Sequence, residues 1–483
     1  MSFGQQRLWF LDQLEPQNPA YHVQVALRLR GPLDLAALEA SLSEIARRHE
    51  ILRTTFQVAG GEPRQVIAPA QSLASRVAAV PDGSGEDRER EVLRLAHEES
   101  LRPFDLARGP LVRVSLFRMS EQDHVFVVVM HHIVTDGWST SVFFRELGAL
   151  YRAFRDREPS PLPEPPMQYA DFAEWQRRWL LGDVLEEQLT FWKRQLGQNL
   201  PMLDLPLDRP RSSHQGQGAR QSFRVSRETA EGLKSLGLDE GATLYMSLLA
   251  VFAMLLHART GQEDIVIGTP MAGRTQLETE DLIGFFVNPL VLRIDLSGDP
   301  TFRELLGRVR EVALDGYAHQ DLPFEKLVEV LHAQRTLSSS PLYQVWFAFQ
   351  NVPDPRPELP GILVTALEPD CRQLDRGPTG TARHDLRFGL SQTPDGLRGD
   401  VEYKTDLFDA PTIASLVFDY ETLLRIAVED SGRTLRRCME RLREARRREG
   451  AGRRSRHSEA ARGSLLTSRR KPLHGDAPDE TSK

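Results

Sequence analysis

One stretch of this chain, where the hydrophobic pattern changes period, constrains the fold more than any other. His124 to Met130 is an apolar, β-branched run that suits a strand buried on both faces, and Ser139 to Phe154 then repeats at helical spacing. Between them stands His131-His132-Ile133-Val134-Thr135-Asp136-Gly137. A buried strand that feeds a helix through a short polar turn calls for an α/β lobe. Its turn lies at the strand's C-terminal end, where loops commonly carry chemistry on a rigid scaffold. Adjacent side chains at a strand end point to opposite faces, so one histidine faces a cavity while its neighbour packs inward. Asp136 falls where the chain has turned, and Gly137 allows close backbone approach. With glycine near 7% of residues, a chance match to His-His-x-x-x-Asp-Gly in such a chain is on the order of one in a thousand. His132 is therefore the candidate reacting group.

The remaining periodicity extends the α/β pattern to the whole chain. Leu35 to Arg48 has helical spacing after the turn-like Gly31-Pro32, and Val112 to Phe117 alternates as a strand. Pro159 to Pro166 holds five prolines and reads as a stiff linker. A second irregular stretch, Leu203 to Gly218, follows, and helical residues Asp171 to Leu196 bridge the two. Strands are then expected at Gln221–Val225, Ile265–Gly268, Tyr343–Gln350 and Leu397–Tyr403. Helices are expected at Leu244–Ala258, Thr301–Gln320 and Pro411–Ala427. At 483 residues, two or three lobes are expected. The boundaries predicted are an N-terminal lobe at 1–175, a bridge at 176–220, a C-terminal lobe at 221–435 and a basic tail at 436–483, disordered beyond a helix at Arg436 to Glu449.

Charge and composition narrow the function. From Arg436 to Lys483 there are 15 Lys+Arg against 7 Asp+Glu, which leaves 46 against 61 in the body. An acidic body is no nucleic-acid binder, and a basic tail is most simply a solvated one. Ala242 to Leu256 is the longest apolar run and is too short to span a bilayer, so it is expected as a buried helix. No signal peptide is apparent at the N-terminus, and the two cysteines, Cys371 and Cys438, are too few for a disulfide framework. A cytoplasmic protein without membrane or nucleic-acid partners is the expectation. Rival chemistries lack their motifs. There is no Gly-x-Ser-x-Gly elbow, no His-Glu-x-x-His helix and no cysteine ligand pair, so no metal is expected. Gly216-Gln217-Gly218 lacks the third glycine of a dinucleotide loop, and there is no Walker lysine loop. Acyl transfer without a cofactor needs only a positioned base and excluded water.

Several further segments, in a fixed order, resemble the condensation domains of nonribosomal peptide synthetases, within the chloramphenicol-acetyltransferase-like superfamily. They are Ser2 to Leu11, Arg48 to Phe56, Met130 to Ser139, Tyr169 to Trp175, Ile283 to Asn288, His319 to Glu325, Thr379 to Arg383 and Glu402 to Phe408. The match runs to about residue 430. The wording of Gln6 to Leu11 and Asp136 to Ser139 resembles the subtype that accepts a donor ending in an L-residue. Two departures stand out. Pro289 replaces a frequent threonine, and Thr336 and Ser339 replace an aspartate and an arginine in Arg335 to Leu342.

The resemblance implies two acetyltransferase-like α+β sandwich lobes forming a V, with a tunnel between them. Donor and acceptor carrier proteins would dock at its two ends, each presenting an aminoacyl or acyl thioester on a phosphopantetheine arm. No cofactor would be bound directly, and a monomer would suffice. His132 would act as base or as positioning group, with Gly137 offering its N–H to the oxyanion. Asp136 would pair with Arg274 as structural support, and His131 would be structural too. Trp138, Ser139, Asn288 and Gln320 read as tunnel or lobe-interface residues, and Tyr169, Asp171, Trp175 and Asp321 as packing or bridging ones. Two alternatives stay open: a free-standing acyltransferase acting on a small alcohol or amine, and a non-catalytic docking module.

Overall fold

The strand that carries the two histidines is the centre of the first lobe. The computed structural model describes residues 1–468 apart from 71–72, 74, 198, 212–216, 332–341, 351–355 and 368–377. In chain order the first lobe holds α1 (Phe3–Leu14), β1 (His22–Arg30), α2 (Leu35–Arg48), β2 (Thr54–Ala59), β3 (Glu62–Ile67) and β4 (Arg76–Ala79). It continues with α3 (Gly85–Leu101), β5 (Val112–Ser120), β6 (Asp123–His131), α4 (Gly137–Arg155) and α5 (Tyr169–Trp179). β6 is buried from His124 to His131, as its unbroken apolar run requires. It pairs antiparallel with β1 (His22 opposite His131) and with β5 (Val114 opposite Val128). α2 and α4 pack against each other, and α3 packs against β1 and β6.

The second lobe begins with α6 (Gly182–Leu196), β7 (Gln217–Ser226), α7 (Arg227–Asp239), α8 (Leu244–Thr260), β8 (Asp264–Met271) and β9 (Asn288–Asp295). The chain continues with α9 (Phe302–Ala318), α10 (Phe324–Val330), β10 (Val345–Gln350), β11 (Leu363–Ala366), β12 (Pro378–Thr381), β13 (Leu386–Thr393), β14 (Gly396–Lys404), α11 (Ala410–Glu429) and α12 (Leu435–Ser468). Its sheet has the order β12-β7-β14-β13-β10-β8-β9. α8 is buried without a break from Met246 to Leu256, so this helix, apolar all round, is the core of the lobe. No single helix among the described residues is long and apolar enough to cross a membrane. Phe252, Phe347, Phe388 and Tyr420 meet in one aromatic cluster under the sheet. The opposite face alternates as strands must, and there Trp346, Arg387, Glu402 and Arg220 line a cavity between the lobes.

Chain order and lobe membership part company at three places. β11, deep in the second half of the sequence, pairs with β1 and becomes the edge of the first sheet, in the order β11-β1-β6-β5-β4. The connector between β8 and β9 buries Leu282, Ile283, Phe285 and Phe286 in the core of the first lobe. α6, expected as part of a bridge, packs Phe191, Trp192 and Leu196 against β9 and α10, while Gln217 already belongs to β7. None of these carries a periodic signal, because backbone pairing and inter-lobe burial are long-range facts.

The helix expected at the start of the basic tail is present and runs further than expected. α12 continues to Ser468, burying Cys438, Met439 and Leu442. Arg446 forms a two-armed ion pair with Asp419 of α11, a carboxylate with no exposed surface that also meets Arg259. Three apolar residues and one such pair are enough to seat the start of a helix that is otherwise charged. Positions 469–483, Cys371, Gly216, Thr336 and Ser339 lie outside the described residues.

A buried ion cluster shows how tightly the first lobe is specified. Glu146 on α4 accepts from both arms of Arg48 at 3.0 and 3.1 Å and from His49 Nε2 at 3.0 Å. Burial alone would raise the Glu146 pKa, but the hydrogen bonds from His49 and Arg48 outweigh it and hold it at about 2. Because the folded value is depressed, the stabilisation is full above the unfolded pKa near 4.5 and is lost as pH falls through about 2. Glu146→Gln leaves Arg48 buried without its counter-charge. It is expected to cost about 3–5 kcal/mol, read as a lower denaturant midpoint at pH 7, with the gap to wild type narrowing below pH 4.

Candidate active site

β6 delivers His131 and His132 to the lobe interface and then releases the chain into one tight turn. His131 is buried, and its Nδ1 accepts the Ile133 N–H at 3.1 Å. Its ring packs edge-on to His22 and Phe104. Burial, then the neighbouring His22 and His132, keep its pKa well below the ordinary range. A histidine used this way is part of the core.

His132 faces the other way, into the cavity. Its Nδ1 lies 2.7 Å from the carbonyl of Thr135, which can only accept, so Nδ1 carries the proton. Nε2 is left as the bare nitrogen. The Phe285 ring meets the imidazole edge-on at 5.0 Å between centroids. Burial and then the Arg383 charge lower the His132 pKa to about 4, and the Thr135 hydrogen bond and Asp136 offset them only in part. His132 is a neutral acceptor at physiological pH.

Asp136 caps α4, accepting the Ser139 N–H at 2.7 Å on Oδ1 and the Phe286 N–H at 3.0 Å on Oδ2. Arg274, on the segment after β8, reaches the same Oδ1 at 3.4 Å and donates to Ser139 Oγ at 2.7 Å. The two side chains are 0% and 2% exposed, which makes this pair one of the least solvated in the chain. Arg274 also donates to the carbonyls of Thr279 and Leu282 and lies 4.0 Å from the Phe286 ring centroid. Two glycines permit this closeness. Gly273 has φ +65°, and a Cβ there would lie 2.2 Å from the Phe286 carbonyl. A Cβ on Gly284 would lie 2.0 Å from the Tyr169 ring, whose hydroxyl bonds the Phe285 carbonyl and Ser2. Gly137 is different, since nothing lies within 4 Å of a Cβ built there. Its open side is the cavity, so a side chain would intrude on a passing ligand and not on the fold.

The other predicted residues divide. Trp138 lines the cavity and donates from Nε1 to the Glu280 carbonyl at 2.8 Å. Ser139 faces away from it, with Oγ bonded to both the N–H and the carbonyl of Gly284 across the lobe interface. Asn288 and Gln320 are not tunnel-lining residues. The Asn288 amide donates to the Gln320 and Leu322 carbonyls and accepts the Phe324 N–H, all within the second lobe, and Gln320 turns to the Tyr317 carbonyl. The Asn288 amide thus pins the start of α10, and the Gln320 amide folds back on the end of α9. Sequence reasoning missed Arg7, which pairs with Glu325 at 3.2 Å between α1 and α10, and the role of Arg383 beside His132. Both lie in motif segments, but their partners come from the other lobe.

The cavity measures 1970 Å³ and runs between the lobes, with His132, Gly137 and Trp138 on one wall and Trp346, Arg383 and Glu402 on the other. That is several times the volume a small ligand needs. Among the described residues no group of three or more His, Cys, Asp or Glu is arranged to hold a metal ion.

Comparison with known proteins agrees with this geometry. The chain is 49% identical over 426 residues to one of the linear gramicidin synthase proteins of Brevibacillus parabrevis, a match that covers 88% of this chain and 5% of that protein. It spans only 5–8% of the three linear gramicidin synthase proteins it matches. Among solved structures it is similar to the X-domain from teicoplanin biosynthesis (34% identity, TM-score 0.80, 90% of this chain and 96% of that one). It is likewise similar to the SgcC5 protein from Streptomyces globisporus (30% identity, TM-score 0.76, 90% and 99%). Two lobes of chloramphenicol-acetyltransferase-like fold, a histidine aimed into the space between them and a family model matched over residues 1–445 lead to one conclusion: the chain belongs to the condensation domain family.

Proposed function

We propose that this chain joins a donor acyl or aminoacyl thioester to the amine of an acceptor, both carried on phosphopantetheine arms of carrier proteins, with His132 at the reaction centre. The observation that carries the reading is the His132 tautomer. Nδ1 is committed to Thr135, and the free Nε2 faces a cavity formed by both lobes. The amine nitrogen attacks the thioester carbonyl carbon, a C–N bond forms, and the C–S bond breaks. The amine proton passes through Nε2 to the departing thiolate, giving an amide and a free thiol. An imidazole whose conjugate acid has a pKa of about 4 holds that proton only in passing. This favours orienting the amine and relaying its proton over storing the proton as a strong base. Alignment of two tethered reactants contributes up to ~7–11 kcal/mol in good cases. The Gly137 N–H, in the first turn of α4 where backbone donors have no acceptor within the helix, is proposed as the oxyanion donor.

Asp136, Arg274 and Ser139 serve as the support that fixes this turn against the second lobe. The motif wording favours a donor ending in an L-residue, and one chain contributes both cavity walls, so a monomer suffices. A cytoplasmic setting is part of the proposal and rests on the scarcity of cysteine. A docking role is the second reading. It is favoured by the likeness to a teicoplanin X-domain that has also been solved in complex with OxyB.

Incubation with L-aminoacyl donor and acceptor carrier proteins, followed by mass spectrometry, should give dipeptidyl thioester in the wild type. A folded His132→Ala variant should be slower by roughly 10²-fold or more. Equal rates would remove His132 from the essential step, and no product in either would favour the docking reading. Asp136→Ala should fail differently. By stranding buried Arg274 it is expected to cost about 3–5 kcal/mol of stability, so a soluble variant with a normal melting temperature would exclude the structural role of Asp136.

A further inference from the structure

The chamber around His132 contains several arginines, and their pairing separates them. Arg7 is paired with Glu325, Arg387 with Asp400, and Arg220 with Asp400 and Glu402. Arg177 has no ion pair either, but it is held by the Met1 carbonyl and Gln6, within the first lobe. Arg383, just after β12, forms no ion pair among the described residues. Its Nε donates to the Ala20 carbonyl, and its guanidinium lies 4.6 Å from the centre of the Tyr21 ring. Both partners belong to the first lobe, so this side chain crosses the lobe interface. It lines the cavity together with Tyr21 and His132.

We infer that Arg383 is a positioning residue for the condensation step, a cation pinned across the lobe interface so that the chamber keeps a fixed positive charge beside His132. The inference rests on the proposed role of His132 and goes further, because it says what sets the state of that imidazole. Glu402 acts on Arg383 through space but is shared with Arg220, so the guanidinium keeps most of its charge. A second cation next to it is unfavourable in a buried site, so His132 stays neutral with Nε2 open to the amine. The other groups facing His132 do not reverse this. Asp136 spends its charge on Arg274, Arg7 is matched by Glu325, and burial keeps His22, His131 and His384 in the neutral form. Arg383 follows burial as the next cause holding the His132 pKa down. The same charge suits the alkoxide that appears on the carbonyl oxygen when the amine adds.

The test is the titration of the full chain labelled at histidine Cε1 with carbon-13, with the His132 signal assigned by its loss in His132→Asn. In the wild type the His132 signal should stay unprotonated well below pH 6. In Arg383→Gln its midpoint should rise by about one unit, and the acid limb of the condensation rate should rise with it. Arg383→Lys, which keeps the charge, should restore both. A merely structural arginine would lower the melting temperature and leave the midpoint in place, and that result overturns the inference. A wild-type midpoint near the ordinary 6.5 overturns it as well, without needing any variant to fold. The titration uses neither carriers nor substrate. A wild type that forms no product therefore counts against the proposed function, and an unmoved midpoint counts against Arg383.

Discussion

The Asp136 carboxylate is the interaction on which the site depends. It caps α4, receives a backbone N–H from the second lobe's connector, and neutralises an arginine that has almost no access to water. Charges this deeply buried are tolerated only when their geometry is good and their remaining hydrogen-bonding groups are met. Arg274 meets that condition by spending its other donors on Ser139 and two carbonyls. One carboxylate therefore joins three things that must agree: where the turn after β6 goes, where α4 starts, and where the second lobe sits. His132 is four residues upstream in the same turn and inherits its position from that agreement.

How much of this was legible in the sequence follows from the range of each interaction. Leu35–Arg48 was readable to the residue because helical burial is local and periodic. The buried strand was readable as His124 to Met130, one residue short of Asp123–His131 at each end, because its apolar run has no gap. The Asp136–Arg274 pair was within reach only through family resemblance, since the partners are 138 residues apart. β1, α3 and β11 carried no signal strong enough to assign. β1 has mixed burial, and α3 is highly charged, with only Val92, Ala96 and Glu99 buried. β11 is four residues long, with Leu363 exposed. Its place in the first sheet is decided by backbone hydrogen bonds, which side-chain patterns do not encode. Asn288 and Gln320 mislead for a related reason. A polar residue in a motif segment reads equally as a site group or as a satisfied structural one, and only its partners distinguish the two.

The two histidines show how one local rule yields opposite chemistries. Adjacent residues at a strand end face opposite ways. His131 is turned into the core, where its nitrogen accepts a backbone N–H, and His132 is turned to the cavity, where Thr135 fixes its tautomer. Burial depresses both pKa values, yet it makes one ring inert filling and leaves the other with an open lone pair. For the thioester chemistry proposed, low basicity is an asset. A more strongly basic imidazole would also be a better activator of water, and water attack would hydrolyse the donor.

That requirement also explains why the lobes are joined at several separate places. In the reaction proposed, a cavity of 1970 Å³ has to admit two tethered ligands and still keep stray water from the reacting carbon. A single broad interface would fill the space, and a single hinge would let it gape. Here the lobes are stitched by β11 along β1, by the β8–β9 connector in the first core, by Arg7 to Glu325, and by Arg383 over Tyr21. Two of these ties, the connector and Arg383, converge on His132, whereas β11 lies at the outer edge of the sheet. Slight opening at the edges would therefore change the width of the channel while leaving the Asp136–Arg274 turn, and the direction in which Nε2 points, unchanged.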